Sequence, residues 1–210
     1  MSKHDFIFQN MLTYIGNKRT LVEYIENEII SIKDFLQTDL LITFDGFAGS
    51  GVVSRMLKYH SKILFVNDME SYSHAMNQCY LSNPNHELKQ NIQQFIHELN
   101  TMNYDDPGII SNNYSPKDSK DIQKNERAFY TTENATIIDT IRNKINNYPK
   151  EYFPFLIAPL LVKASIHTNT SGVFKGFHKK SGVGHFGGKG EHNTDSRITK
   201  KIRSVPLNIL

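Results

Sequence analysis

The amino-acid sequence predicts an α/β fold, and three observations carry that prediction. Two short apolar runs rich in strand formers, residues 40–44 (LLITF) and 62–66 (KILFV), bracket a glycine-rich turn and a helical stretch, together the size of a β-α-β unit. Between residues 71 and 168, apolar side chains recur at helical spacing, so helices replace strands through the middle of the chain. The 210 residues suffice for one ordinary domain with or without an insert, and 39% hydrophobic with 21% charged content is that of a globular chain.

Taken in order, residues 17–37 place Leu21, Tyr24, Ile25, Ile29, Ile32 and Leu36 three and four apart, which predicts an amphipathic helix with that face inward. Residues 40–44 read as a buried strand, broken at once by Asp45, Gly46, Gly49 and Gly51. Residues 52–60 offer a helix, and 62–66 a second strand ended by Asn67-Asp68. Two helices follow at 71–81 and 86–102, separated by Asn83-Pro84, the second with Ile92, Phe95, Ile96 and Leu99 on its inner face. Residues 104–127 contain Pro107, Gly108, Pro116 and many Asn, Asp, Ser and Lys, which predicts an exposed, mobile loop. Ile137, Ile138, Ile141 and Ile145 mark a helix over 135–145, and residues 153–168 a more apolar one, bent at Pro159. Residues 172–190 hold seven of the twelve glycines, interleaved with Phe174, Phe177, Phe186 and basic side chains.

Cys79 is the single cysteine, so no internal disulfide can form; it reads as a passive helix residue, and the composition suits a cytoplasmic chain. The longest near-continuous apolar stretch, residues 153–162, includes Pro154 and Pro159 and is too short to cross a bilayer. The first residues show no export signal. Net charge is +3, but residues 163–210 carry nine Lys/Arg against Glu191 and Asp195, leaving the first 162 residues at −4. A basic end on a mildly acidic body suggests a phosphate-rich partner, with a solvated basic tail as the alternative.

The sharpest feature is Asp45-Gly46-Phe47-Ala48-Gly49-Ser50-Gly51 at the carboxyl end of a strand. Its glycines let the main chain turn tightly and approach a ligand, and the following helix start presents N–H groups. Asp68 ends the next strand, where an acid can accept hydrogen bonds from both hydroxyls of a ribose. A G-x-G-x-x-G pattern beginning at Gly49 would need glycine where Ser54 stands, which weakens a dinucleotide reading. A phosphate loop fails at Gly188-Lys189-Gly190, with Val183 at the position of its first glycine. Asp45 would repel a pyrophosphate but suits the ammonium and sulfonium charges of S-adenosylmethionine (SAM), which leads over other nucleotides and over a purely structural turn. Upstream, Tyr14-Ile15-Gly16-Asn17-Lys18 sits just before the first long helix, so that Lys18 could point back toward a ligand carboxylate.

In this order and spacing, YIGNK, DGFAGSG and FVND resemble the Dam-like, α-type adenine-N6 DNA methyltransferases. The resemblance implies that SAM is held by Tyr14, Gly16 and Lys18, by Asp45, Phe47, Ala48, Gly49 and Gly51, and by Asp68. It further implies a partial Rossmann-like SAM-binding core over residues 1–69, a helical target-recognition insert over 70–165, and a basic glycine-rich loop returning to the core over 166–210. Residues 167–191 resemble the family's basic-aromatic loop, which would bring Lys175, His178, Lys179, Lys180 and Lys189 to phosphates of double-stranded DNA. Phe174, Phe177 or Phe186 could stack near an extruded base, or simply pack the loop. His167, His178, His185 and His192 read as surface or DNA-facing histidines rather than a zinc site, because no cysteine or ordered acid cluster joins them.

Catalysis in the family depends on [DN]-P-P-[YFW], and the chain has no such tetrapeptide. Asp105-Asp106-Pro107-Gly108 and Asn83-Pro84-Asn85 come nearest, but lack the second proline and the aromatic ring, so no catalytic residue is assigned. The resemblance covers nearly all of the chain but only the front part of the family. The expectation is therefore an adenine-specific DNA methyltransferase in truncated or split form, inactive without its catalytic half, which in the split form a second polypeptide would carry. A non-catalytic DNA-binding protein and a SAM-dependent enzyme acting on RNA are the alternatives.

Overall fold

The computed structural model describes residues 2–9, 11–12, 16–171, 174–187 and 194–203, without the side chains of 194–196. Two compact units divide the chain, one within Met1–Leu88 and one within Lys89–Pro206. The first opens with α1 (Lys3–Phe8), whose start is fixed by a capping box: Ser2 Oγ accepts from Asp5 N–H while the Asp5 carboxylate accepts from Ser2 N–H. A 3-10 turn (Arg19–Leu21) leads into α2 (Val22–Phe35), followed by β1 (Leu41–Asp45), α3 (Val52–Leu57), β2 (Ser61–Val66) and α4 (Ser71–Leu81). β1 and β2 pair in parallel with Ile42 opposite Ile63 and Phe44 opposite Phe65, so α3 is the crossover.

Phe6 and Ile7 of α1, Val22 of α2, and Val52, Met56 and Leu57 of α3 form the core of this unit, with Ile25, Ile29 and Leu64 packed against it. Here α2 departs from its sequence reading. It packs along the row Val22, Ile25, Ile29, while Leu21, Tyr24, Ile32 and Leu36 lie on the flank of that row and are exposed. The strands depart too. Ile42 and Phe44 are 60% and 68% exposed, and Ile63 and Phe65 are 48% and 56% exposed. Side chains alternate across a strand, and the core meets the face that carries Leu64, while the opposite apolar face is the exposed one.

The second unit takes up α5 (His86–Thr101), which runs across the boundary, with Ile92, Ile96 and Leu99 buried and Phe95 ringed by Tyr148 and Tyr152 at 4.6 and 4.9 Å between centroids. Within the stretch expected to be a mobile loop, Ile109–Tyr114 forms a helix, α6. Its start is capped from afar, because the buried Asp139 carboxylate accepts from the N–H groups of Gly108, Ile110 and Ser111 at 2.7–3.0 Å. Such a cap, about thirty residues away in sequence, leaves no local signal. α7 (Thr132–Ile145), capped by Thr131, and α8 (Phe153–His167), with Pro154 in its first turn, build most of the core around Ile137, Ile141, Ile145, Leu156 and Ala158. β3 (Lys179–Lys180) and β4 (Val183–Gly184) make a small hairpin, and α9 (Thr194–Thr199) follows. Buried Asn134 ties the end of α9 to α7, donating to the Ile198 and Lys200 carbonyls and accepting from Ile202 N–H. Among the described residues no helix is long and apolar enough to cross a membrane.

Candidate functional site

The turn after β1 is held from every side by hydrogen bonds. Ala48 N–H donates to the Asn67 carbonyl at 3.1 Å, Gly49 N–H to Asp68 Oδ2 at 2.7 Å, and Gly51 N–H to the Ala48 carbonyl at 2.8 Å. Gly49 and Gly51 have φ of 53° and 73°, a region that only glycine enters at little cost. Gly51 stands directly before α3. Ser54 occupies the position that denied a dinucleotide fingerprint, and its hydroxyl donates to Asp45 Oδ2.

Three segments far apart in sequence meet around a cleft of about 400 Å³: Gly16, Asn17 and Lys18; Phe47 to Ser50 with Val52 and Val53; and Asp68, Met69 and Glu70. Six of the nine residues singled out for a ligand, Gly16, Lys18, Phe47, Ala48, Gly49 and Asp68, thus line one space. Asp45 and Gly51 are not among its lining residues, and Tyr14 lies outside the described residues. Lys18 turns back, its Nζ donating to the Gly16 carbonyl at 3.0 Å. Phe47 and Met69 are 90% and 92% exposed, two bare apolar side chains on the same cleft. Asp68 Oδ1 accepts from Glu70 N–H, and the Glu70 and Gly49 N–H groups together hold its carboxyl below the usual carboxylate range. A neighbouring cleft of about 510 Å³ beside β2 and α4 shares Asp68 and carries Lys58, Lys62, His74 and Gln78.

The donor set fits SAM by its chemistry. Acidic side chains (Asp68, Glu70) suit a ribose diol and an ammonium, Lys18 suits a carboxylate, and Phe47, Val52, Val53 and Met69 offer apolar faces.

Residues that the sequence did not single out secure this site from behind. Arg55, 1% exposed, donates to the carbonyls of Ile7, Gln9 and Ser50, and burial pulls its guanidinium down to about 10. Ser73 Oγ, on α4, donates to the Gly49 carbonyl at 2.7 Å. Both are polar residues in mostly helical surroundings, a signal that reads as surface until the partners are known.

In the second unit, Ser181 and Gly182, with φ of 52° and 83°, turn the hairpin. Lys175, Lys179 and Lys180 are exposed and His178 half-buried, while Lys189 and His192 lie outside the described residues. Lys179 Nζ rides over the Phe177 ring at 5.0 Å. Phe174 stacks on Phe129 at 4.5 Å and 12°, and Phe177 meets Phe129 edge-on at 5.1 Å, so both rings belong to one aromatic cluster. Buried Asn169 anchors the segment, donating from Nδ2 to the Ala128 and His185 carbonyls and accepting His178 N–H at its own carbonyl. His167, expected at the surface, is buried; its Nδ1 donates to the Arg197 carbonyl, and burial keeps its pKa low.

Comparison with known proteins agrees with these motifs. The chain is 30% identical over 175 residues to the type II methyltransferase M.NlaIII of Neisseria lactamica, covering 80% of this chain and 49% of that protein. It is 31% identical over 175 residues to the type II methyltransferase M.CviAII of Paramecium bursaria Chlorella virus 1, covering 81% and 50%. M.FokI of Planomicrobium okeanokoites is 28% identical over 181 residues, 27% of its length. The chain spans about half the length of M.NlaIII and M.CviAII. No solved structure matches. Residues 14–185 match the D12 class N6 adenine-specific DNA methyltransferases, and the chain belongs to that family.

Proposed function

We propose that this chain binds SAM and double-stranded DNA as part of an adenine-N6 DNA methyltransferase. The observation that carries the reading is the meeting of residues 16–18, of 47–50 with Val52 and Val53, and of 68–70 around one cleft. Lys18 and the turn over Ala48 and Gly49 bind the methionine end, with Phe47 closing over it and Tyr14 completing the group. Asp45 adds negative charge at the end of β1 and, through Ser54, fixes the turn. Gly51 lets the chain pass from turn to helix, and Asp68, kept ionised by two N–H donors, takes the ribose hydroxyls. When bound, SAM supplies an electrophilic methyl group on a sulfonium.

On the DNA side, Lys175, His178, Lys179, Lys180 and Lys189 contact phosphates, positioning the duplex without reading sequence. The domain reading keeps residues 1–69 as the SAM-binding part of the core, 70–165 as target recognition and 166–210 as the basic loop and return. Because these 210 residues contain no [DN]-P-P-[YFW], no side chain here is assigned to orient the adenine amine, and methyl transfer needs that motif from the rest of a longer chain or from a second polypeptide.

Tritiated SAM and unmethylated mixed-sequence duplex DNA, incubated with the purified chain, test the proposal. DNA retention in preference to structured RNA, without label transfer, is expected. Robust transfer by the chain alone contradicts the need for the missing motif, and preference for RNA contradicts the substrate.

A further inference from the structure

We infer that Ser73, backed by Asn77 one turn later on α4, is the positioning residue that fixes the glycine turn for its ligand; this rests on the cofactor reading above. Both side chains are withdrawn from water, at 0% and 8% exposure, and four residues of helix place them on one face. A buried hydroxyl and a buried amide are costly in a helix unless each is bonded, so their bonds identify what they are there to hold.

Those bonds converge on the turn. Ser73 Oγ donates to the Gly49 carbonyl at 2.7 Å and accepts from Asn77 Nδ2 at 3.2 Å, while Asn77 Nδ2 also donates to the Ser73 carbonyl at 2.9 Å. Asn77 Oδ1 lies against Gly51, where any Cβ would collide with it. Gly49 is therefore gripped at both of its main-chain groups, its N–H by Asp68 and its carbonyl by Ser73. The acid that takes the sugar and the backbone that cups the methionine end are thus set in register through one residue of the turn, and α4 is the element that locks it. Threonine at position 73 could make the same bond; alanine would leave a buried carbonyl and the Asn77 amide with a partner lost.

The test follows the whole chain and its Ser73→Ala, Ser73→Thr and Asn77→Ala variants by calorimetric titration with SAM and by amide hydrogen exchange. Ser73→Ala is expected to weaken SAM binding on the order of tenfold, the value of one buried hydrogen bond. It should also speed exchange over residues 47–51 while leaving β1 and β2 as protected as before, and Ser73→Thr should restore both. Unchanged affinity in Ser73→Ala, or exchange that rises equally throughout the unit, overturns the inference, the second by reducing Ser73 to a general packing residue. If Ser73→Ala does not fold, Asn77→Ala decides: faster exchange confined to the turn with weaker binding supports the inference, and wild-type behaviour overturns it. If the wild-type chain binds no SAM, the cofactor reading fails by itself, and turn-confined exchange in Ser73→Ala still decides whether Ser73 holds the turn.

Discussion

Asp68 is both a charge and a brace, because the two N–H groups that favour its ionised form belong to the turn and to the start of the next helix. A carboxyl held below its ordinary 3.8 binds fewer protons folded than unfolded. Its contribution to stability is therefore complete above that ordinary value and is lost as pH falls through the lowered one. Asp68→Asn should denature more readily than wild type near neutrality, with the gap closing as pH falls below the carboxyl's ordinary 3.8 and through its lowered value. Chemical denaturation at several pH values checks this, and a gap that does not narrow on acidification below 3.8 contradicts it. Gly51 makes a steric claim of equal sharpness. An alanine there would adopt φ near 73° and meet Asn77 Oδ1, so Gly51→Ala should cost about 2 kcal/mol or more of unfolding free energy. A denaturation midpoint equal to wild type would show that the turn adapts.

At the scale of elements, what could be read from sequence depended on where each element finds its partners. The β1-turn-α3-β2 unit was legible because strand formers, glycines and a helical period all lie within it, and Asp68 closes it locally. α6 was not, because Asp139 supplies its cap from α7, and neither was the inner row of α2, where Leu21 and Tyr24 fit the helical period as well as Val22 does. The candidate site divides in the same way: glycines and Asp68 announce themselves, whereas Ser73 and Arg55 acquire meaning only when Gly49 and Ser50 are seen beside them. The hairpin was foreseen as a basic glycine-rich loop, but Asn169, which fastens it to Ala128, is a contact across about forty residues. Two exposed lysines, Lys179 and Lys180, lead into its tip on β3, and each phosphate contact proposed for them would release counterions. The double change Lys179→Ala, Lys180→Ala should weaken duplex binding equally for unrelated sequences and make the salt dependence shallower by about 2 in log–log slope. Filter binding across a salt series measures it; an unchanged slope removes the hairpin from the DNA interface.

For the whole molecule, residues 40–44 read as a buried strand, yet Ile42 and Phe44, with Ile63 and Phe65 beside them, stand exposed on one side of a two-stranded parallel sheet. Parallel sheets are ordinarily covered on both faces, and the relatives M.NlaIII and M.CviAII are about twice as long as the part this chain matches. Ligand binding still has all its proposed contacts within the first unit, so it can be measured on the chain as it stands. The central claim is that the turn over Ala48 and Gly49, bordered by Lys18 and Asp68, takes SAM. Calorimetric titration of the folded chain with SAM, beside NAD and ATP, tests it most directly. Saturable one-to-one binding of SAM that Asp68→Ala abolishes, with neither other nucleotide competing, is the expected result; a folded chain that ignores SAM, or takes all three alike, contradicts the account.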